Sequence, residues 1–142
     1  MTPETEIIRT IHRLFRHADH HEWDELTSVF ADSVLLDYTS LAGGEPTRLA
    51  PADVVAGWRP GFEALDAHQH LVGNHLVAVD DSMATVTATF IATHQFDGDT
   101  WTLGGDYTFG MEHTDEWRVA AMTMTTIWQT GDPGLMARAT AR

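Results

Sequence analysis

Histidine is concentrated in one stretch of this chain, and histidine is the side chain whose charge changes near neutral pH. Residues 67–77, AHQHLVGNHLV, hold three of the nine histidines and open a run of predicted strands. Read as a strand with period two, the stretch places on one face His70, Val72, Asn74, Leu76 and Ala78. Both faces carry apolar residues, so the strand is predicted to be covered on both sides. A buried His70 needs a partner for each ring nitrogen or loses its proton, which suits a general base.

The composition narrows the functions that this chemistry can serve. The chain has 142 residues, which we interpret as one domain spanning 1–142, and a formal charge of −13. That charge repels phosphate backbones, so nucleic acid is not an expected partner. There is no cysteine and no lysine, which excludes thiolate and Schiff-base chemistry. No stretch is typical of a leader or a membrane span, and we expect a cytoplasmic protein with no membrane partner.

The first half of the sequence predicts helices and one strand. Helical spacing of apolar residues follows a Thr-Pro-Glu start, and a strand then places Tyr38 on the same face as its aliphatic neighbours. A Pro-Gly pair at 60–61 is expected to kink or break the last helix, leaving Trp58 and Phe62 near a pocket mouth. The predicted ranges are a helix from Thr2 to Ala18, a short helix over Glu22–Phe30, a strand over Val34–Thr39 and a helix over Pro51–Leu65.

The second half changes to a period of two, which predicts four long antiparallel strands between His68 and Trp128. On the second of these strands, alternation directs His94 into the apolar face. On the third, Tyr107 lies with the aliphatics and Asp106 lies opposite. The tail Leu135–Arg142 is either a helical lid or a frayed end. Helices followed by such strands predict an α+β fold, with N-terminal helices packed in the concave face of a strongly curved antiparallel sheet around a conical pocket.

Several motifs resemble one known group of proteins. LLDYTS, HQHLVGNH, THQF, a Gly-Gly-x-Tyr strand and DEWRV, in this order, are similar to the SnoaL-like branch of the nuclear transport factor 2-like superfamily, and nearest to the scytalone dehydratase family. The resemblance covers nearly the whole chain. It implies a cone-shaped α+β barrel and a homo-oligomer, a dimer or trimer, packed through the outer face of the sheet. The superfamily includes dehydratases, isomerases, cyclases, hydrolases and binding proteins, so the fold alone does not assign a function.

The dehydratase resemblance implies a role for four residues. Asp19, four residues before Trp23, matches an aspartate that orients a catalytic histidine. His70, in a Gln-His-Leu sequence, matches that histidine. Tyr38, in an Asp-Tyr pair, matches a tyrosine that polarises the substrate carbonyl through water. His94, followed by Gln, matches a second histidine that donates to a leaving hydroxyl or binds it.

Two positions depart from the family pattern. Ala18 stands where the family has a tyrosine, so one of two carbonyl-polarising hydroxyls is missing. The family's asparagine on the third sheet strand matches Asp106, whereas strand alternation favours Tyr107 in the pocket. Both residues are therefore candidates for substrate binding, together with Asn74, Trp58 and Phe62.

Each candidate also has a structural alternative. His70 is a core histidine if Asn74 or a backbone carbonyl satisfies it, and Asp19 is a helix cap if it binds the start of the next helix. Tyr38 and His94 are ordinary core residues if their polar atoms are satisfied locally. The histidines at 17, 20 and 21 have helical spacing, but no HExxH sequence accompanies them, and we predict no metal.

These patterns predict a cofactor-independent lyase of the dehydratase type. His70 is the base, Asp19 holds it, Tyr38 faces the carbonyl, and the partner is a small apolar oxygenated cyclic metabolite such as a polyketide or terpenoid. Two alternatives remain open. One is an isomerase or cyclase, which Asp106 or Asp37 as a carboxylate base would favour. The other is a protein that binds a small molecule without catalysis.

Overall fold

The computed structural model describes residues 1–142. Its first helix, α1 (Pro3–Asp19), begins as the sequence predicts: the Thr2 hydroxyl accepts from the Thr5 amide, and a proline occupies the first turn. The helix buries its apolar stripe against the sheet and ends at Asp19. The last residue of α1 is therefore held at a fixed position beside the sheet.

The other elements follow in a simple order. They are α2 (Trp23–Thr27), β1 (Phe30–Asp37), α3 (Thr39–Ala42), β2 (Thr47–Leu49), α4 (Pro51–Ala64), β3 (Ala67–Asp80), β4 (Met83–Phe96), β5 (Asp99–His113), β6 (Trp117–Gly131) and α5 (Leu135–Thr140). No helix is both long enough and apolar enough to cross a membrane. A kink or a break was expected at Pro60-Gly61, and the break is wrong, because α4 continues through Pro60. Ala56, whose carbonyl loses its partner there, is exposed, so water can satisfy it.

The sheet has six strands in the order β2-β1-β6-β5-β4-β3, and it is curled without closing. The predicted α+β fold is confirmed, with one feature that the sequence did not indicate: β1 and β6 pair in parallel, while every other pairing is antiparallel. The helices pack on the concave face over a core of 30 buried residues. Because β3 is an edge strand, its outer backbone groups are free to bind other parts of the chain.

A β-bulge interrupts β3. Gly73 pairs with Thr89 and Leu76 pairs with Thr87, so two residues of β3 oppose a single residue of β4. Asn74 lies in the bulge with φ 53°, and its amide donates to the Thr89 hydroxyl at 2.9 Å. The prediction of an unbroken alternation along this strand is therefore wrong, since the face that points to the core changes at the bulge.

The C-terminal tail forms a short helix, α5, which packs against α4 and the sheet. Leu135 and Ala139 are buried against the fold. Arg138 donates to Asp99 at 2.9 Å and to Asp132 at 2.8 Å, which ties the helix to the start of β5 and to the turn after β6. Of the two alternatives for the tail, the helical one is observed.

The bulge depends on a residue that tolerates a positive φ. The Asn74→Val variant is expected to lose about 1–2 kcal/mol more free energy of unfolding than Asn74→Gly, as measured by urea denaturation. Both variants lose the hydrogen bond to Thr89, but only the β-branched side chain is strained at φ 53°. Equal losses in the two variants would contradict this account of the bulge.

Candidate active site

A hydrogen-bonded pair joins the end of α1 to the edge strand β3. The Nδ1–H of His70 donates to Asp19 Oδ1 at 2.7 Å, and the backbone N–H of His70 donates to Asp19 Oδ2 at 2.8 Å. Asp19 does not cap α2, whose N-cap is Glu22 with no side-chain hydrogen bond. His70 is likewise not satisfied by Asn74, which binds Thr89. Asp19 is therefore not a helix cap, and His70 is not a core histidine satisfied by Asn74.

The charge of Asp19 fixes the tautomer of His70. Burial by itself raises the pKa of Asp19, but the neighbouring imidazoles of His68 and His70 outweigh it and hold the pKa well below its usual range. An anionic carboxylate accepts, so the ring proton of neutral His70 lies on Nδ1. The lone pair of Nε2 is then available to accept a proton.

The ring of His70 borders an apolar cavity of about 370 Å³ inside the cone. Fourteen of its 16 lining residues are hydrophobic, contributed by α1, α3, α4, α5 and the central strands. Trp58 and Phe62 of α4 and Met136 of α5 are among the lining residues. Its polar groups are few, and they are His70, His94, Tyr38 and Tyr107.

His94 faces this cavity with a fixed tautomer. Its Nδ1–H donates to the Trp101 carbonyl at 3.0 Å, so Nε2 is an acceptor. Burial lowers the pKa of His94 to about 4, against smaller opposing effects, and the side chain is only 5% exposed. The role of proton donor to a leaving hydroxyl does not fit a histidine that is neutral at pH 7. His94 can instead bind a substrate hydroxyl by accepting its hydrogen bond.

Two tyrosines supply the donors. Burial raises the pKa of Tyr38 and of Tyr107, and Tyr38 also raises that of Tyr107, so both hydroxyls stay protonated. The Tyr38 hydroxyl donates to the Met122 sulfur at 3.9 Å, a weak contact that a ligand oxygen can replace. Tyr107, which also lines the cavity, provides a second hydroxyl in a site where Ala18 has none.

Three other acidic or amide residues that the sequence suggested lie outside the cavity. Asp106 pairs with Thr89 and Thr125 on the outer face of the sheet, so alternation, and not motif spacing, gives its position correctly. Asn74 is displaced to the same outer face by the bulge. Asp37 accepts from the amide and the hydroxyl of Thr39. None of the three is placed to contact a ligand beside His70.

Sequence reasoning missed His68. Its Nδ1 lies 3.3 Å from Asp19 Oδ1, and its Nε2 lies 2.8 Å from His21 Nε2. The signal was present, because in the His-Gln-His sequence the two histidines are two residues apart and share a face of β3. The predicted surface cluster at 17, 20 and 21 does not converge, since His17 binds Glu22.

The neutral state of His94 generates a prediction about acid stability. An unfolded His94 binds a proton below pH 6.5, but the folded one does so only near pH 4, so stability is lost as pH falls between these values. Urea unfolding of wild type and His94→Gln at pH 7 and pH 4 measures this. The advantage of wild type over the variant should shrink by up to about 3 kcal/mol at the lower pH. An unchanged difference would show that His94 titrates normally.

Comparisons with known proteins identify the family of this chain and the solved structures that share its fold. Residues 1–123 match the model of the SnoaL-like domain. No curated protein matches the sequence. Among solved structures, the Kfla4162 protein from Kribbella flavida is 29% identical, with a TM-score of 0.89 over 94% of this chain and 96% of that chain. A candidate scytalone dehydratase from Novosphingobium aromaticivorans is 18% identical, with a TM-score of 0.77 over 91% and 87%.

A third similar structure is a hexachlorocyclohexane dehydrochlorinase, LinA type 2, which is 12% identical with a TM-score of 0.78 over 91% of this chain and 88% of that chain. At these identities the last two likenesses show the fold alone. The match to the family model covers most of the sequence, and an NTF2-like protein with a cystatin-like fold is also among the similar structures. The chain therefore belongs to the SnoaL-like domain family.

Proposed function

We propose that this protein is a cofactor-independent lyase that removes water from a small, mostly apolar cyclic metabolite carrying a carbonyl and a hydroxyl. Polyketide or terpenoid rings are substrates of this class. The observation that carries the proposal is the Asp19–His70 pair, whose free ring nitrogen is available beside an apolar cavity. A volume of about 370 Å³ lies at the low end of the ~300–1,000 Å³ typical of small-molecule sites.

The reaction needs one base, and that base can also complete it. Nε2 of His70 takes the proton from the carbon next to the carbonyl. The electrons of that C–H bond remain on the substrate, which becomes an enolate with its negative charge shared by the carbonyl oxygen. Asp19 stabilises the imidazolium through the 2.7 Å hydrogen bond. The enolate then forms the carbon–carbon double bond as the C–O bond breaks, and His70 returns its proton to the departing hydroxyl, which leaves as water.

The other polar groups orient the substrate. The hydroxyls of Tyr38 and Tyr107 are donors for the carbonyl oxygen, which gains negative charge in the enolate. The acceptor Nε2 of His94 binds the O–H of the substrate and turns the lone pairs of that oxygen toward His70, whose ring centroid is 6.3 Å away. In an apolar site these few polar contacts determine the orientation of the ligand.

The names of two similar structures support elimination chemistry in this fold. One is described as a candidate scytalone dehydratase and the other as a dehydrochlorinase. Both names refer to enzymes that remove a small group together with a proton. We take this as support for the reaction class and not for a substrate.

An isomerase is the second candidate, and one observation favours it. His70 is the only group at the cavity with an established orienting carboxylate, and His94 is neutral, so a proton taken by His70 can also be returned to another carbon. The version that uses Asp106 or Asp37 as the base is excluded by their positions outside the cavity. The site can also bind a ligand without reaction, which is the third outcome of the test.

The test is turnover of hydroxylated cyclic ketones by wild type and by two variants. His70→Gln and Asp19→Asn are each expected to lower kcat by about 10²–10⁴-fold, because the base or its orienting anion is removed. Asp106→Asn is the matched control and should retain wild-type kcat, since Asp106 lies on the outer face. Circular dichroism verifies that each variant is folded.

The outcomes separate the three candidates. Formation of an unsaturated product with loss of water supports the lyase. Deuterium uptake from solvent without loss of water selects the isomerase. Full activity in both variants would contradict His70 as the base, and tight ligand binding without any reaction would select the binding protein.

We also propose that the outer face of the sheet pairs with a second copy of the chain. Leu71, Ile91 and Trp128 form an exposed apolar row across this face, and Leu71 is 63% and Ile91 46% exposed. The row passes over Gly104, where an added Cβ would meet the Trp128 ring. Apolar surface that spans several strands is typical of an interface.

Sedimentation of Ile91→Asp tests this pairing. Wild type is expected to sediment as a homo-oligomer, and the variant as a monomer at the same concentration, because an unpaired carboxylate is costly to bury. Glu112→Gln, away from this row, is the control and should behave as wild type. A monomeric wild type would contradict the interface.

A further inference from the structure

We propose that Asp19, His68 and His70 bind a divalent transition-metal ion of the Zn²⁺ type, and that the ion acts as a reversible inhibitor at the site. The binding itself is argued from the geometry of the three side chains. Only the inhibition rests on the proposed function.

The first observation is an unsatisfied nitrogen on His68. Its side chain is 3% exposed, and its Nδ1 makes no hydrogen bond. Its Nε2 lies 2.8 Å from His21 Nε2, and the two rings are within 12° of coplanar with centroids 5.0 Å apart. This is an edge-to-edge hydrogen bond between imidazoles, in which one Nε2 donates and the other accepts.

The hydrogen bond to His21 leaves His68 with a choice of tautomer. When Nε2–H of His68 donates to His21, the lone pair of Nδ1 points toward Asp19 Oδ1, 3.3 Å away. Two lone pairs then face one another in a buried place, and a cation between them would relieve the repulsion, as would a proton on Nδ1 in the other tautomer. Histidines that bind metals commonly donate their second N–H in this way, which fixes the ring orientation.

The distances match a metal site. Zinc binds imidazole nitrogen and carboxylate oxygen at about 2.0–2.2 Å, so neighbouring ligand atoms in a tetrahedron are about 3.3 Å apart. The separation of His68 Nδ1 from Asp19 Oδ1 is 3.3 Å. That of His70 Nδ1 from the same oxygen is 2.7 Å and must open by about 0.6 Å. All three ligand atoms lie within 4.8 Å of one another.

An ion can reach the three ligands from solvent. The three residues border an open groove of about 560 Å³ between α1 and β3, separate from the apolar cavity. Water in the groove can supply the fourth ligand. Arg16 and His20 also border the groove. The Arg16 charge opposes a cation, whereas the anionic Asp19 and the formal charge of −13 favour one.

Occupation of the site changes the chemistry of His70. A metal on Nδ1 moves the ring proton to Nε2, so the atom beside the apolar cavity becomes an N–H donor. Such a histidine cannot take a proton from the substrate. The metal therefore switches off the base without entering the cavity.

Isothermal titration of the full chain with ZnCl₂, without substrate, tests the binding. His68→Phe removes one ligand and keeps an aromatic ring against Phe62, which stacks on His68 at 4.5 Å. The variant should bind one ion fewer per chain, or bind with a Kd at least about tenfold higher. His68→Asn is a second variant that removes the same imidazole, and it replaces His68→Phe in the test if that variant does not fold.

The matched control is His20→Asn, which removes an exposed histidine at the same groove and should bind zinc as wild type does. Unchanged stoichiometry and Kd in folded His68→Phe and His68→Asn would overturn the proposal. Because no substrate is used, absence of lyase activity leaves this result intact. Where turnover is found, zinc should inhibit wild type and EDTA should restore it, and inhibition that is undiminished in the His68 variants would contradict the mechanism.

Discussion

The two hydrogen bonds between the Asp19 carboxylate and His70 are the interaction on which the candidate site depends. One oxygen binds the ring of His70 and the other binds its backbone amide, at 2.7 Å and 2.8 Å. Because β3 is an edge strand, this amide has no strand partner on its free side. A single side chain thus anchors the end of α1 to the sheet and orients the candidate base. The fold and the chemistry share one interaction, and charged hydrogen bonds of this kind are among the stronger ones in proteins.

The cavity follows from how the sheet is covered. Helices lie along the concave face, and α5 packs beside them, which leaves an apolar space with few polar groups. His70 and His94 present acceptors, and Tyr38 and Tyr107 present donors. A site with its donors and acceptors already in place does not have to reorganise when charge develops on a substrate. This arrangement is the basis of the proposal that the site abstracts a proton next to a carbonyl.

Local patterns predicted much of this arrangement. Alternation along β4 and β5 placed His94 and Tyr107 on the concave face, where the structure has them. Alternation failed beyond Gly73, because a bulge adds one residue and exchanges the faces of β3. The position of Asn74 could not be obtained from periodicity for that reason.

Features that depend on distant parts of the chain were harder to predict. The parallel pairing of β1 with β6 joins segments about 90 residues apart, and no local signal indicates it. The contact of Asp19 with His70 spans 51 residues and was suggested only by the family resemblance. His68 was overlooked although it shares a strand face with His70, since its importance comes from a carboxylate and from His21, both on another part of the chain.

The most direct test of this account is the tautomer of His70 in solution. Long-range ¹H–¹⁵N correlation spectra of the imidazole rings, recorded at neutral pH without metal, identify which nitrogen carries the proton. The account predicts that neutral His70 is protonated at Nδ1 and that Asp19→Asn abolishes this preference, because the anionic acceptor at 2.7 Å is removed. A ring protonated at Nε2 in the wild-type protein, with Nδ1 unprotonated, would contradict the assignment of His70 as the base.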